Sequence, residues 1–161
     1  MKKNKVIIFS LLVMVLISCS SVGGTKNGNT LIVVKEGVVN QMSTEMFKNL
    51  VYNYQKNPKD WIYEGSLPCI IDFYADWCRP CKMVAPIMDD LAKQYKGKVV
   101  FYKVNTDEER ELSQVFNIRS IPALLYVPRN GKPQMSVGAY NKENYIQQIN
   151  TFLLATDAEK R

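Results

Sequence analysis

The chain of 161 residues contains no histidine. Histidine is the usual proton shuttle near neutral pH and a common zinc ligand. Its absence excludes Ser-His-Asp triads, Cys-His proteases and histidine-based zinc sites. Cysteine is also scarce, with only four residues, at Cys19, Cys69, Cys78 and Cys81. Any cysteine chemistry is therefore confined to these four positions.

The sequence also lacks an apolar run long enough to cross a bilayer. Residues 6–17 are apolar apart from Ser10, whereas a membrane-spanning helix needs about 20 such residues. This run follows Lys2, Lys3 and Lys5 and ends just before Ser18 and Cys19, which is the arrangement of a secretory signal peptide. We therefore predict that residues 1–18 are a signal peptide that is cleaved before Cys19.

The end of this run, Leu16-Ile17-Ser18-Cys19, resembles the lipobox of bacterial lipoproteins. The resemblance implies that Cys19 is lipidated, anchors the protein without spanning the membrane and takes no part in redox chemistry. An ordinary signal peptide with a nearby cysteine is the alternative. Residues 19–30 are mostly small and polar and are expected to form a flexible tether. We predict a location on the extracytoplasmic (periplasmic) side of a bacterial cell envelope, where disulfides persist.

Composition limits the number of domains and the class of partner. With 47% hydrophobic and 22% charged residues, the chain is typical of a globular protein. We place one domain at residues 31–156, followed by a polar tail at 157–161, and expect a monomer. Loss of the signal peptide would lower the formal net charge from +6 to +3. No basic stripe interleaved with aromatic residues occurs, so no nucleic-acid partner is predicted.

Strand and helix patterns alternate along this domain. Residues 69–75 are almost all apolar, which predicts a central strand covered on both faces. Other strands are expected in one or both of 31–34 and 38–39, and at 99–105, 123–127 and 133–138. Helices are expected from Ser43 or Thr44 to about Asn57, at 79–95, after Thr106 or Asp107, and after Asn141. This order predicts an α/β fold with a central mixed sheet flanked by helices on both faces.

Two cysteines lie where the central strand gives way to a helix. Cys78 and Cys81 are separated by two residues, and apolar residues follow them at helical spacing. The unpaired N–H groups and the dipole of a helix N-terminus favour a thiolate at this position. A C-x-x-C motif at such a junction therefore predicts a dithiol redox site.

The residues around this pair resemble the thioredoxin family. The resemblance covers about residues 38–154 and rests on four segments in the family's order, which are 72–82, 103–107, 118–124 and 138–139. It implies the thioredoxin fold and thiol-disulfide exchange by a Cys78–Cys81 disulfide, with no further cofactor and no metal. Arg79 departs from the family, in which glycine is usual between the cysteines.

The resemblance assigns roles to both cysteines and to their neighbours. Cys78, at the turn and nearest solvent, is expected to be the nucleophile, and the more buried Cys81 the resolving thiol. Asp72 is expected to relay the proton of Cys81, and Lys103 to tune that carboxyl. Pro80 is expected to stiffen the turn. The alternative for Asp72 and Lys103 is a solvated position on the outside of the sheet.

A second group of residues is expected to bind the substrate. Pro122 matches the family's cis-proline, and the backbone of Ile121 is expected to pair with an extended client segment. Trp77 is expected to form an apolar platform, with core packing as its alternative. Gly138 is expected to leave room for the client chain.

Two residues remain outside these roles. The charge of Arg79 is expected to stabilise the Cys78 thiolate and to make the protein more oxidising than a glycine-containing relative. Cys69, at the start of the central strand, is expected to be an inert apolar residue.

Together these features predict a protein-disulfide reductase that acts on disulfide-containing proteins. A reductant outside the cytoplasm would need a membrane thiol-disulfide electron donor. The alternatives are a disulfide oxidase or isomerase, a thioredoxin of cytochrome c maturation, and a non-enzymatic metal-binding or adaptor lipoprotein. A zinc site is the weakest of these, because zinc takes about four ligands and one C-x-x-C supplies only two.

Overall fold

A computed structural model of the chain describes residues 33–155. The predicted signal peptide, the lipidation of Cys19, the tether and the polar tail lie outside the described residues. None of the helices within residues 33–155 is both long enough and apolar enough to cross a membrane.

Strands and helices alternate in the described region in the predicted order. The strands are β1 (Val39–Gln41), β2 (Cys69–Tyr74), β3 (Val100–Asn105), β4 (Ala123–Val127) and β5 (Gln134–Val137). The helices are α1 (Thr44–Leu50), α2 (Arg79–Gln94), α3 (Arg110–Val115) and α4 (Lys142–Gln148), and a π-helical turn at Ile149–Leu154 continues α4.

The strands form one sheet in the order β1-β3-β2-β4-β5. Strands β1 and β2 run parallel to β3, β4 runs antiparallel to β2, and β5 runs antiparallel to β4. The predicted mixed sheet is therefore confirmed. Its middle strand is β2, whose first five residues are all buried, as expected of a strand with helices on both faces.

Successive side chains of β2 point to two different cores, because side chains alternate along a strand. Ile70 packs in a cluster that includes residues of α2 and of the C-terminal helical segment. Ile71 and Phe73 pack in a second cluster with Phe47 of α1 and Leu112 of α3. Helices thus cover both faces of the sheet, as predicted.

Helix α1 ends at Leu50, so the predicted continuation to about Asn57 is wrong. The Asn53 side chain accepts a hydrogen bond from the Lys56 N–H at 3.0 Å, and the Val51 carbonyl accepts one from the Glu64 N–H at 2.9 Å. Such bonds offer the backbone an alternative to further helical turns. The start of α1 is as predicted, since the Ser43 side chain accepts from the Met46 N–H at 3.2 Å.

The predicted cap of α3 is also wrong. Glu109, rather than Thr106 or Asp107, precedes the helix, and its side chain makes no capping bond to α3. Thr106 instead donates to the Tyr74 carbonyl at 3.1 Å, and Asp107 accepts from the Trp77 indole at 2.9 Å. Both side chains are therefore used to hold the end of β2 and the residues that follow it.

Candidate functional site

The cysteine pair lies at the N-terminus of α2, where β2 ends. Cys78 is the N-cap residue of α2 and forms a disulfide with Cys81. The Cys81 N–H donates a hydrogen bond to the Cys78 sulfur at 3.2 Å. A helix N-terminus with an N–H group directed at a sulfur stabilises negative charge on that sulfur. The geometry therefore favours Cys78 over Cys81 as the thiolate.

Exposure does not distinguish the two cysteines. Each is 3% exposed, so the expectation that Cys78 is nearer to solvent and Cys81 more buried is not met. Both pack in a small cluster with Ala75, Tyr74 and Ile121. The difference between the two sulfurs lies in the amide that faces Cys78.

Asp72 lies on β2 and is only 5% exposed, which rules out a solvated position. Its Oδ1 atom has no hydrogen-bond partner among the described residues. Burial raises the pKa of Asp72 to about 7, and the positive charge of Lys103 partly opposes this rise. A carboxyl with a pKa near neutrality can take up and release protons under physiological conditions.

The carboxyl of Asp72 shares a cavity of about 220 Å³ with Cys81 of the redox pair. Asp72, Cys81 and Lys103 all line it, together with Val39, Tyr74, Ala75, Asp76, Lys82, Ala85, Met88 and Asp89. Asp72 and Lys103 are direct neighbours in the β2–β3 register, and the Lys103 Nζ lies 5.5 Å from the centre of the Tyr74 ring. The structure thus brings together the three residues that the resemblance assigned to proton transfer.

A second, more open depression lies beside Trp77 and the loop that precedes β4. It is lined by Trp77, Thr106, Ile118, Arg119, Ser120 and Ile121, and is called the groove below. Trp77 is 70% exposed, which excludes core packing as its role. The Ile121–Pro122 peptide bond is cis. An exposed aromatic ring and a nearby turn of backbone form a surface on which an extended peptide can lie.

Gly138 anchors the loop that contains Pro122. Its N–H donates to the Pro122 carbonyl at 2.8 Å, and its φ of +109° is a conformation that residues with a side chain rarely adopt. A Cβ atom at this position would lie 4.0 Å from the nearest neighbour, the Tyr140 ring. Conformation, rather than crowding within the described residues, is therefore what requires glycine here.

The other predicted residues lie around this site in different environments. Arg79 and Pro80 are exposed on the first turn of α2, where the pair was expected to adjust Cys78. Cys69 is fully buried in the core opposite Asp72, and burial raises the pKa of its thiol to about 12. Residues 33–155 contain no group of three or more cysteine, aspartate and glutamate side chains that could hold a metal ion.

Sequence reasoning gave no site role to Asp107 or Arg119. The Trp77–Asp107 bond joins residues 30 positions apart, so nothing in the local sequence indicates it. Arg119 lies within residues 118–124, one of the segments used to identify the resemblance, and lines the groove next to Ser120 and Ile121. The position of Arg119 in that segment could have indicated that it lies at the site.

Comparison with known proteins gives one consistent result. Residues 38–151 match the protein family described as Thioredoxin. The chain is 42% identical over 111 residues to the thioredoxin of Borreliella burgdorferi, covering 69% of this chain and 94% of that protein. It is 41% identical over 95 residues to thioredoxin 1 of Nostoc sp., covering 59% and 89%.

Among solved structures, the chain resembles a crystal structure of chloroplastic thioredoxin z with a TM-score of 0.57. The two chains are 21% identical, and the match covers 74% of this chain and 95% of the other. At this level of identity the likeness supports the fold.

Proposed function

This chain belongs to the thioredoxin family, and we propose that it is a protein-disulfide reductase on the extracytoplasmic side of a bacterial cell envelope. Thioredoxins are thiol-disulfide oxidoreductases that use a redox-active cysteine pair and need no cofactor. One observation carries the assignment of roles. The Cys81 N–H points at the Cys78 sulfur, while Cys81 shares a cavity with the buried Asp72.

In the proposed reaction, the Cys78 thiolate attacks one sulfur of a client disulfide. A mixed disulfide forms, and the other client sulfur leaves as a thiolate, which takes up a proton. The Asp72 carboxylate accepts the proton of the Cys81 thiol, and the resulting thiolate attacks the Cys78 sulfur. The Cys78–Cys81 disulfide closes, the second client sulfur is released, and two electrons have passed to the client.

A protein outside the cytoplasm needs a source of electrons there to reduce its disulfide after each reaction. Cys19 is proposed to carry the lipid anchor, and a membrane thiol-disulfide protein is proposed to reduce the Cys78–Cys81 disulfide again. The signal-like residues 1–18 support export. Mass spectrometry of the mature N-terminal peptide tests this, because lipidation predicts an acylated Cys19 as the first residue. A Cys19→Ser variant should lose its membrane association, and an unmodified or absent Cys19 in the mature protein would contradict the anchor.

Trapping of mixed disulfides tests the proposed chemistry. A Cys81→Ser variant keeps the nucleophile but cannot resolve the intermediate, so it should accumulate covalent complexes with client proteins that dissolve on reduction. The Cys78→Ser/Cys81→Ser double variant is the matched control and should capture none. Equal amounts of disulfide-linked protein on both variants would contradict the role of Cys78.

A disulfide oxidase is the second candidate, favoured by the exposed cation of Arg79 between the cysteines. The two directions are separated by supplying each form of the protein with a defined client. A reductase, once reduced, should cleave insulin disulfides rapidly, whereas an oxidase should, in its oxidised form, transfer its disulfide to a reduced unfolded protein. If the oxidised protein transfers its disulfide to the unfolded protein faster than the reduced protein cleaves insulin, the proposed direction is wrong.

A further inference from the structure

The groove beside the cysteine pair carries a single charged side chain among its six lining residues. That residue is Arg119, which lies two positions before Ile121. Ile121 itself packs against the cluster that contains Cys78 and Cys81. A client segment that brings its cysteine to Cys78 therefore lies beside the groove that Arg119 and Ile121 both line.

Arg119 is oriented by its own loop. Its Nε–H donates to the Asn117 Oδ1 atom at 3.1 Å, and Asn117 has a φ of 50°, a left-handed conformation that asparagine tolerates better than most residues. This bond engages only the Nε–H group of the guanidinium. The terminal N–H groups have no partner among the described residues and are available to an external acceptor.

Trp77 also lines the groove, and its indole donates to the Asp107 carboxylate at 2.9 Å. Asp107 is not among the residues that line the groove, so Arg119 supplies the charge that a client segment in the groove meets. Carboxylate is the group that a guanidinium binds with the best geometric match.

We infer that Arg119 makes the enzyme selective for clients with an aspartate or glutamate on one side of the reacting cysteine. This inference rests on the proposed function, because it concerns the proteins that the dithiol would reduce. The occupant of the groove is an extended acidic segment of a disulfide-containing protein. An exposed Arg–carboxylate pair of this kind should change the rate constant by about threefold at low ionic strength.

Synthetic peptides provide the test. Each contains one cysteine joined to 2-thiopyridine, and carries Asp, Asn or Lys on either the N-terminal or the C-terminal side of that cysteine. The Cys78 thiolate of the pre-reduced, full-length protein attacks the peptide sulfur and releases 2-thiopyridine, which is followed by absorbance. Cys81 then closes the disulfide and releases the peptide thiol, so no other reductant is needed. The measured quantity is the ratio of the second-order rate constants for the Asp and Asn peptides.

We expect this ratio to exceed one on one side of the cysteine and to fall as salt is added. Arg119→Gln should bring it down toward one, Arg119→Lys should keep most of it, and Arg119→Glu should favour the Lys peptide instead. Arg129→Gln removes an exposed arginine in the β4–β5 turn, at the other end of the sheet, and should leave the ratio unchanged. Arg119→Gln and Arg129→Gln each remove one positive charge, so a comparison of their ratios reports the effect of position even if absolute rates change.

Two results would overturn the inference, and they have different meanings. If wild type reduces the Asp and Asn peptides equally, or if Arg119→Gln keeps the wild-type ratio, Arg119 does not select clients although the proposed reductase activity stands. If the reduced wild-type protein releases no 2-thiopyridine from any peptide, the proposed function fails as well.

Discussion

Cys69 and Asp72 lie three residues apart on β2, and their surroundings differ in one decisive respect. Both are buried, with exposures of 0% and 5%, and burial raises the pKa of each. Cys69 packs within a core of apolar side chains on the α1 and α3 face of the sheet. Asp72 lies on the opposite face and lines a cavity together with Lys103 and Cys81.

This contrast shows that burial alone does not create a reactive group. The Cys69 thiol, with a pKa of about 12, stays protonated at neutral pH and has no redox partner within the described core. The Asp72 carboxyl has a pKa of about 7 and shares its cavity with a cysteine of the redox pair. A raised pKa becomes useful when it falls near neutrality and when a proton donor lies within reach.

The largest difference between the two residues should appear in how the free energy of unfolding depends on pH. The pKa of Asp72 in the folded state, about 7, lies above its ordinary value of 3.8. The stability associated with its protonated form is therefore fully present below pH 3.8 and is lost as the pH rises through 7. Linkage gives a loss of roughly 4 kcal/mol by pH 8. Asp72→Asn should restore most of this lost stability at pH 8 and add little stability at pH 4.

Urea unfolding of wild type and Asp72→Asn at the two pH values measures this gain. The matched control is Cys69→Ala, which should lower the free energy of unfolding by about 1 kcal/mol. Its effect should be the same at pH 4 and pH 8, because the Cys69 thiol titrates above this range. An Asp72→Asn gain that does not change with pH would contradict the ionisation of a buried carboxyl.

The next effect concerns turnover. Loss of the proton acceptor in Asp72→Asn should slow client reduction at neutral pH by about hundredfold or more, and the pH–rate profile should lose its step near pH 7. Cys69→Ala should reduce clients at the wild-type rate, since Cys69 packs on the other face of the sheet and does not line the cavity. Insulin reduction measured across pH compares the three proteins. A normal rate in Asp72→Asn would show that another group accepts the proton of Cys81.

A smaller effect is expected at Lys103. Its positive charge lowers the pKa of Asp72 against the effect of burial, so Lys103→Met should raise that pKa further. The midpoint of the pH–rate profile should then shift upward, while the rate at high pH changes little. A shift in the opposite direction would mean that Lys103 acts on the cysteines rather than on Asp72. Lys98→Met, which removes an exposed lysine outside the cavity, is the control.

The smallest effect should follow from a charge that is not buried. Arg79 is exposed, so solvent screens its influence on the Cys78 thiolate. Arg79→Gly should lower the reduction potential by only about 10 to 20 mV, as measured in glutathione redox buffers. A wild-type potential equal to or below that of the variant would contradict the expectation that Arg79 makes the protein more oxidising.

The sequence was sufficient for the parts of the fold that depend on local pattern. The apolar run of β2, the cysteine pair at its end and the β1-α1-β2-α2-β3-α3-β4-β5-α4 order were all predicted. The end of α1 was missed because Asn53 and the Val51 carbonyl make bonds that compete with the helix. A helical pattern of apolar residues does not reveal such bonds.

The site was less predictable where it depends on distant contacts. The cavity shared by Asp72 and Cys81 requires the packing of α2 on the sheet, and the Trp77–Asp107 bond joins separate loops. Equal burial of Cys78 and Cys81 was not expected, because position on a helix says nothing about the loop of Ile121 that covers both.

The most direct test of the proposed role of Asp72 is the titration of its carboxyl group in the oxidised protein. In that state Cys78 and Cys81 are joined and do not titrate, so the signal belongs to the carboxyl alone. Carbon NMR of protein labelled at the aspartate carboxyl carbon, assigned with Asp72→Asn, should give a pKa near 7. A carboxyl that is already ionised at pH 5, with a pKa near its ordinary value of 3.8, would contradict the account.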